Sequence, residues 1–368
     1  MASDICRWGF LSTAGIGKKN WHAIRCCENA TLVAVASRET DKANQFIGEC
    51  QRQIPFENQP KAVGGYETLL SQDDIDAVYI PLPTALRKQW VIAAAEAGKH
   101  VMCEKPCAIH HSDLREMIDA CEKNGVQFMD GVMLMHTQRL SNLRPCLESK
   151  IGDLLRVHSQ LSFKGDQEFL DQNIRTDSSL EPLGCLGDLG WYNVRIALFA
   201  ANWQMPHSVT AKSLNSLNRT NGENGVPLSM SAELFFENGL SAGFYCSFEA
   251  HHQQWAVFSG THGMIKLNDF VLPYSNEDLK FELHNPTFDI DACQFVMLEN
   301  KQTISTAESG NNAVDSQEAK LFRYFSSIVN AGNIDPFWGE ISMKTQCVVD
   351  ACFESANSDG KLTEVSKL

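Results

Sequence analysis

The first 130 residues alternate regularly between short apolar runs and helical patterns, and this rhythm is the strongest constraint on the fold. The runs that predict strands are residues 8–11, 31–36, 75–80, 100–103 and 127–130. The segments that predict helices are residues 16–27, 41–50, 66–70, 89–97 and 112–124. Such alternation indicates a parallel sheet covered by helices on both faces. The sequence therefore predicts an α/β fold with an N-terminal dinucleotide-binding domain of the Rossmann type.

After residue 130 the pattern changes to consecutive strands, with a tight hairpin signal at Asn238-Gly239. Strands are predicted at 154–163, 208–217, 229–237, 241–248, 255–260 and 264–268, helices at 187–201, 319–330 and 342–357, and polar loops at 215–227 and 305–315. A chain of 368 residues is long enough for two cores. We expect a Rossmann domain over residues 1–131 and an α/β domain with an open, largely antiparallel sheet over residues 132–368.

Charge and hydropathy exclude several classes of protein. The 31 basic and 45 acidic side chains give a net charge of −14, which disfavours a nucleic-acid partner. The N-terminus has no basic segment followed by an apolar one, and no apolar run reaches the length of a membrane span. We expect a cytoplasmic protein that does not bind membranes.

The thirteen cysteines are scattered, and none forms a C-x-x-C pair. Cys103, Cys246 and Cys293 lie in apolar, strand-like contexts, where a thiol behaves as a small hydrophobic group. His251 and His252 are adjacent on a predicted strand, so their side chains point to opposite faces. The sequence predicts free thiols, a reducing compartment and no metal site.

The turn after the first strand has few of the glycines that a dinucleotide fingerprint requires. Those glycines would fall at Ser12, Ala14 and Gly17, and only the third is glycine. Small side chains still let a pyrophosphate approach backbone N–H groups at a helix N-terminus. A purely structural turn is the alternative for this motif taken alone.

The second strand ends in Ser37-Arg38, where an NAD site needs an acidic residue to bind the ribose 2′-hydroxyl. A hydroxyl and a guanidinium suit a 2′-phosphate instead. Glu39 follows, and we expect it to point away if Ser37 points inward. The pattern favours NADP, although an isolated arginine after a strand is usually only solvated.

The strand at 100–103 runs into Glu104-Lys105-Pro106. Ligands of open parallel sheets bind beyond the carboxyl ends of the strands, so this segment is well placed to contact a cofactor and its substrate. The alternative is an ordinary loop in which Lys105 is solvated and Pro106 starts the next helix.

Asp188 and Tyr192 are four residues apart in a predicted helix and so are expected to share one face, with Arg195 near it. Taken alone, Asp188 is explained by a helix cap and Tyr192 by a buried hydrogen bond.

Together these motifs resemble the glucose–fructose oxidoreductase, inositol dehydrogenase and MocA family. The residues that carry the resemblance are the first turn, Ser37-Arg38, the segment from Tyr79 to Thr84, Glu104-Lys105-Pro106, the segment from Leu186 to Tyr192, and the segment from Gly260 to Ile265. The resemblance covers nearly the whole chain, and it looks closest to the NADP-dependent branch with sugar and dihydrodiol dehydrogenases and sugar ketoreductases.

The family resemblance implies catalytic roles for Lys105, Asp188 and Tyr192. It also implies a homodimer through the open sheet, with a tetramer as the alternative. A histidine common in the family is replaced by Arg87, which leaves a contact there open. The expected cofactor contacts are Ser12, Thr13, Ala14, Ile16, Ser37, Arg38, Pro81, Leu82, Pro83, Thr84, Glu104 and Lys105.

The expected reaction is hydride transfer between a nicotinamide and the hydroxyl-bearing carbon of a sugar, a sugar derivative or a cyclic polyol. We assign Tyr192 as acid/base, because the charge of Lys105 lowers the pKa of a nearby phenol. Lys105 also polarises the substrate oxygen, and Asp188 orients the sugar hydroxyls or holds Lys105.

Four residues are expected to bind substrate: Lys105, Arg175, Asp188 and Tyr192. Lys164 is a weaker candidate, since a solvated loop explains it equally well. His136 is either a support for the site or a core histidine.

A different class of function is a non-catalytic NADP-binding sensor on the same fold, because fold alone does not decide activity. Retention of Lys105, Asp188 and Tyr192 favours catalysis. A third possibility is an oxidoreductase that keeps its nucleotide bound and recycles it between two sugars.

Overall fold

The computed structural model describes residues 5–218, 225–275 and 277–368. The chain forms two compact units. The first unit comprises the chain up to His136 together with Ser179–Glu181 and Asn311–Gln346, and the second unit comprises Thr137–Ser178, Pro182–Gly310 and Cys347–Leu368. Both units are therefore assembled from several segments. The single domain boundary expected after residue 131 stays a prediction.

Within residues 5–136 the structure shows six strands and five α-helices. The strands are β1 (Cys6–Leu11), β2 (Ala30–Ser37), β3 (Lys61–Gly64), β4 (Ala77–Ile80), β5 (His100–Cys103) and β6 (Phe128–Asp130). The helices are α1 (Ile16–Arg25), α2 (Thr40–Gln53), α3 (Tyr66–Leu70), α4 (Thr84–Glu96) and α5 (His111–Lys123). All strand pairs are parallel, in the order β3-β2-β1-β4-β5-β6. This is the strand order of a Rossmann domain, so the predicted fold class is confirmed.

Strand β3 was not predicted, because Lys61–Gly64 is only four residues long and its outer residues are exposed. Its register is set by β2, where Ala36 lies opposite Val63 and Ser37 opposite Gly64.

The described residues after position 136 contain eleven strands and five α-helices. The helices are α6 (Gln138–Ser149), α7 (Gln167–Gln172), α8 (Trp191–Ala200), α9 (Gln317–Asn330) and α10 (Phe337–Asn357). The strands are β7 (Leu154–Ser162), β8 (Ser208–Leu217), β9 (Val226–Phe235), β10 (Ser241–Ser247), β11 (Gln253–Gly260), β12 (Met264–Leu267), β13 (Leu279–His284), β14 (Thr287–Asp291), β15 (Gln294–Leu298), β16 (Lys301–Thr306) and β17 (Thr363–Glu364). The predicted polar loop at 215–227 includes residues 219–224, which lie outside the described residues, and its two ends belong to β8 and β9.

Helix α9 belongs to the first unit, although it lies more than 300 residues after β1. The indole N–H of Trp8 on β1 donates to the Ser326 hydroxyl at 3.0 Å, and the Trp8 ring meets Phe322 edge-on at 5.0 Å. All three side chains are fully buried. The sequence predicts the helix from its periodicity, but nothing local to it specifies the strand that it covers.

The second unit is built on a nine-stranded sheet in the order β16-β13-β12-β11-β7-β10-β9-β8-β17. Every pair is antiparallel except β7 with β10, which confirms the expectation of a largely antiparallel sheet. Along β7, Val157, Ser159 and Leu161 are buried, whereas Arg156 and His158 are accessible. One face of the sheet is therefore covered and the other is open.

Strands β14 and β15 form a separate hairpin whose residues are all exposed. The register places Phe288 opposite Met297 and Ile290 opposite Phe295, so one side of the hairpin is wholly apolar. Cys293 lies in its turn and is exposed. The expectation that this thiol is a buried apolar group is wrong, because a two-stranded ribbon has no core to bury it.

Within the part of the chain that the structure describes, no helix is both long and apolar enough to span a bilayer.

Candidate active site

The turn between β1 and α1 adopts a glycine-type backbone at a residue that is not glycine. Ser12 has a φ of +142°, in the region that L side chains rarely occupy. Its hydroxyl accepts a hydrogen bond from the Ala14 N–H at 3.0 Å. Ser12 thus takes the backbone conformation expected of the first fingerprint glycine. The glycine pattern alone does not reveal this, because it counts Ser12 as a mismatch.

The third fingerprint position keeps its glycine for a packing reason. A Cβ on Gly17 would lie 3.2 Å from the Phe46 ring on α2. Of the other residues predicted here, Thr13 and Ala14 are half-buried and Ile16 is exposed at the start of α1.

The end of β2 presents a cation. Ser37 is buried, Arg38 is exposed, and Arg38 makes no hydrogen bond or ion pair with any residue that the structure describes. Glu39 instead pairs with Lys42 at 2.8 Å, and this contact holds the pKa of Glu39 below its usual value. The acidic side chain next to Arg38 is therefore engaged by a lysine, and the expectation that Glu39 points away from the site stays a prediction. Lys42, in the first turn of α2, is a second cation near the end of β2. The sequence analysis treated it only as part of the helix predicted to begin at Asp41.

Tyr66 is another residue that the sequence did not single out. It starts α3 next to Gly65, whose N–H donates to the Ser37 carbonyl at 2.9 Å. Burial raises the pKa of the Tyr66 phenol, and the charge of Arg38 opposes this shift. Its ring meets Trp90 edge-on at 4.9 Å. Tyr66 therefore borders the same edge of the sheet as Ser37 and Arg38.

The segment after β4 is anchored by a carboxylate. The Glu181 carboxylate accepts hydrogen bonds from the Thr84 N–H at 2.9 Å and from the Thr84 hydroxyl at 2.6 Å. This places a negative charge at the N-terminus of α4, where the helix dipole favours it. Thr84 and Leu82 are buried, and the Thr84 hydroxyl is committed to Glu181. Pro81, Leu82 and Pro83 lead directly into this capped end.

The segment after β5 is organised by Glu104. The Tyr79 hydroxyl donates to Glu104 Oε1 at 2.6 Å, and the Lys105 N–H donates to Glu104 Oε2 at 3.2 Å. Burial raises the pKa of Tyr79 far above its usual value, and the neighbouring Glu104 charge adds to the effect. A Cβ on Gly131 would lie 3.1 Å from this carboxylate, so glycine allows the close approach.

Asp188 and Tyr192 do not lie in one α-helix as predicted. Asp188 falls in a π-helical turn, Leu186–Gly190, and α8 begins at Trp191. Gly190 is tightly packed there, because a Cβ would lie 2.9 Å from Leu186 Cδ1. The i→i+5 bonding of a π turn changes the angular spacing of side chains, so the argument from a four-residue separation does not apply.

The second unit brings Asp188 and Arg175 together. Arg175 Nε lies 3.0 Å from Asp188 Oδ2, and the Arg175 backbone N–H donates to Asn173 Oδ1. Tyr192 is buried, as are all residues of α8. The next residue, Asn193, donates to the Ser159 hydroxyl on β7 at 2.8 Å. Arg195, expected near the site, is fully buried beside Trp191.

Two further residues can be placed. The His136 ring stacks on Trp338 with centroids 4.7 Å apart, which is the environment of a core histidine. Lys164 is exposed in the segment after β7. Lys105 lies in the first unit, whereas Asp188, Arg175 and Tyr192 lie in the second.

Comparison with known proteins identifies the family. The sequence model described as "Oxidoreductase family, NAD-binding Rossmann fold" matches residues 6–132, and the "GFO/IDH/MocA C-terminal domain" model matches residues 146–266. The chain belongs to the GFO/IDH/MocA family of oxidoreductases. The predicted resemblance is confirmed, and the chain is an enzyme of this class.

Two relatives illustrate the range of the family. D-xylose 1-dehydrogenase (NADP(+)) 2 of Haloferax volcanii is 29% identical over 353 residues, covering 95% of this chain and 97% of the relative. A dTDP-3,4-didehydro-2,6-dideoxy-alpha-D-glucose 3-reductase of Saccharopolyspora spinosa is 31% identical over 270 residues, covering 73% of this chain and 76% of the relative.

Among solved structures, the 3-ketoreductase KijD10 of Actinomadura kijaniata, in complex with NADP and TDP-benzene, has a TM-score of 0.80. It is 23% identical, with 96% of this chain and 98% of that chain covered. This similarity establishes the fold.

The backbone of Ser12 gives a stability prediction. Ser12→Ala keeps the unfavourable φ and loses the hydrogen bond to Ala14, whereas Ser12→Gly relieves the backbone. We expect the glycine variant to have the higher free energy of unfolding, by about 1 kcal/mol, in urea denaturation. The control is the exposed Ser327 within α9, which is replaced by the same two residues. Because alanine favours a helix more than glycine does, Ser327→Ala should have a free energy of unfolding roughly 1 kcal/mol higher than Ser327→Gly. The same order at both positions would contradict the strain at Ser12.

Proposed function

We propose that this enzyme is an NADP-dependent oxidoreductase that transfers a hydride between the nicotinamide and a hydroxyl or carbonyl carbon of a sugar, a sugar derivative or a cyclic polyol. The observation that carries the proposal is the exposed Arg38 at the end of β2 in a Rossmann sheet, with its acidic neighbour Glu39 engaged by Lys42. The names of the relatives, which act on sugars and sugar derivatives, support the substrate class.

The residues at the end of β2 fit a 2′-phosphate. Ser37 offers a hydroxyl, Arg38 an unengaged guanidinium, and Lys42 an ammonium whose present partner, Glu39, is fully solvated. A doubly charged phosphate would compete with Glu39 for Lys42. The glycine-type backbone at Ser12 suits a pyrophosphate that approaches the start of α1. The remaining proposed contacts are Thr13, Ala14, Ile16, Pro81, Leu82, Pro83, Thr84, Glu104 and Lys105.

The bound nicotinamide supplies the hydride chemistry, and the protein supplies proton transfer and orientation. In oxidation, Tyr192 takes the proton of the substrate hydroxyl as the hydride leaves, and in reduction it returns that proton to the carbonyl oxygen. A free phenol has a pKa of about 10, so it is a poor base at neutral pH. The proposal therefore assigns Lys105 the task of stabilising the phenolate and polarising the substrate oxygen.

Asp188 and Arg175 act in this proposal as a pair. The ion pair balances the Asp188 carboxylate, so that its charge opposes the Tyr192 phenolate less than a free carboxylate would. The pair combines a carboxylate, which accepts hydrogen bonds, with a half-exposed guanidinium, which donates them, and these are the groups that recognise the hydroxyls of a polyol.

We also propose that the enzyme is a cytoplasmic homodimer. No disulfide joins the cysteines of the described residues, which fits a reducing compartment. The open face of the second unit's sheet supports an interface between two copies, and half-exposed Trp255 and Tyr245 lie on that face.

Sedimentation equilibrium should give a mass near twice 41.0 kDa, and Trp255→Glu should shift the mass towards that of the monomer. A wild-type monomer would contradict the dimer.

The cofactor assignment predicts a measurable preference for NADPH. By isothermal calorimetry, Arg38→Ala should weaken NADPH binding about 10- to 100-fold and leave NADH binding within roughly threefold, because only NADPH carries the 2′-phosphate. Arg52→Ala, an exposed arginine at the other end of α2, is the control and should change neither affinity. Equal wild-type affinity for NADPH and NADH would contradict the assignment.

The catalytic assignment predicts separate effects on turnover and binding. In a panel of sugars that begins with D-xylose, Tyr192→Phe should lower kcat by about 10²- to 10⁴-fold and leave the NADPH Kd unchanged. Lys105→Met should lower kcat as well. The exposed tyrosine Tyr274 gives the control variant, Tyr274→Phe, which should retain wild-type turnover. Full turnover in Tyr192→Phe would exclude this tyrosine as the acid/base.

A further inference from the structure

A single buried arginine joins two loops at the carboxyl edge of the parallel sheet. Arg87 is the fourth residue of α4 and is only 5% exposed. Its Nε donates to the Leu82 carbonyl at 2.7 Å, and its Nη1 donates to the Pro106 carbonyl. Leu82 follows β4 and Pro106 follows β5, two strands that pair directly through Ile80 and Cys103. One guanidinium therefore connects the two loops.

The positive charge of Arg87 has no direct counter-ion. Across residues 5–218, 225–275 and 277–368, no carboxylate forms an ion pair with it. Burial of a cation without a partner is costly, and an apolar side chain would avoid that cost. A structural role alone does not require a charge here. Both acceptors are backbone carbonyls that flank residues expected at the site, which points to a role in holding those residues.

The loop that contains Lys105 is anchored on both sides of this residue. On one side the Glu104 N–H donates to the Ile80 carbonyl at 3.2 Å, and the Glu104 carboxylate binds the Tyr79 hydroxyl. On the other side Pro106 has no N–H, so its carbonyl is the only backbone group through which it can be held. Arg87 occupies that carbonyl. Lys105 thus lies between two residues that are each fixed by a buried side chain.

We propose that Arg87 is a positioning residue that fixes the backbone of Lys105 by tethering Pro106 to the loop after β4. The inference rests on the role proposed above for Lys105. Arginine suits this task because its planar fork presents separate donors in fixed directions, so one side chain can serve two carbonyls. A neutral histidine, which the family resemblance places at this position, has one N–H donor and can serve only one of them.

The tether is tested first without substrate, by hydrogen–deuterium exchange of a peptide that covers residues 103–109. In the wild-type enzyme these amides should be protected. Arg87→His and Arg87→Lys should each raise their exchange rate by about tenfold, since neither side chain spans both carbonyls. The matched control is Lys88→Met, which removes the cation next to Arg87 in the sequence. Lys88 pairs with Asp113 and Glu116 and not with the two carbonyls. It should leave the exchange unchanged. Unchanged exchange in both Arg87 variants overturns the proposal.

The second test asks whether Arg87 acts through Lys105. With the sugar of the panel that the wild-type enzyme oxidises fastest, Arg87→His should lower kcat by about 10- to 100-fold and leave the KM for NADP within roughly threefold. In a Lys105→Met background the same substitution should change kcat by less than about twofold. Arg87→Lys provides a second variant that keeps the buried charge. It should also lower kcat when Lys105 is present and have little effect on kcat in the Lys105→Met background.

The two proposals fail in different ways. If Arg87→His lowers kcat by the same factor with and without Lys105, Arg87 acts independently and the positioning role is wrong. If Lys105→Met leaves kcat unchanged, the proposed catalytic role of Lys105 is wrong, whereas the exchange experiment still measures the tether.

Discussion

The carboxylate of Glu104 is the interaction on which the functional edge of the first unit depends. It is buried, and it accepts the Tyr79 hydroxyl at 2.6 Å and the Lys105 N–H at 3.2 Å. A buried carboxylate is stable only when its lone pairs are satisfied, so both partners are obliged to stay where they are. Gly131 leaves the room that this requires. The position of Lys105 is therefore set from within the sheet.

Each turn at this edge of the sheet is held by a different side chain. Ser12 binds the backbone of its own turn, Glu181 caps α4 at Thr84, and Arg87 links the loops after β4 and β5. These contacts replace the conformational freedom of loops with directed hydrogen bonds. Such rigidity is what a site needs when it must present a backbone and a few polar groups to a cofactor in one arrangement.

The sequence predicted the elements whose signal is local. Periodicity identified the Rossmann alternation. Ser37-Arg38 stands where an NAD site has an acidic residue, and this identified the end of β2 as a candidate site for a 2′-phosphate. It did not predict β3, which is short and edge-exposed, or that α9 covers Trp8, since that contact joins residues more than 300 positions apart. The π turn at Asp188 was not predicted either; at its end Gly190 lies against Cys246 of β10, where a Cβ would come within 3.4 Å of the sulfur. The contact of α9 with Trp8 depends on packing between distant residues, which a local pattern does not contain.

The exposed turn of the β14–β15 hairpin makes Cys293 unlike the other cysteines of the chain. Ten of the thirteen are buried, and partial burial raises the pKa of the two intermediate ones, Cys26 and Cys146. Because a thiol reagent must reach the sulfur, the exposed Cys293 is more accessible to such reagents than the buried cysteines are. The native chain thus carries one natural attachment point for a fluorophore or spin label, next to its most apolar surface ribbon. A label there reports on whatever covers that ribbon without any engineered residue.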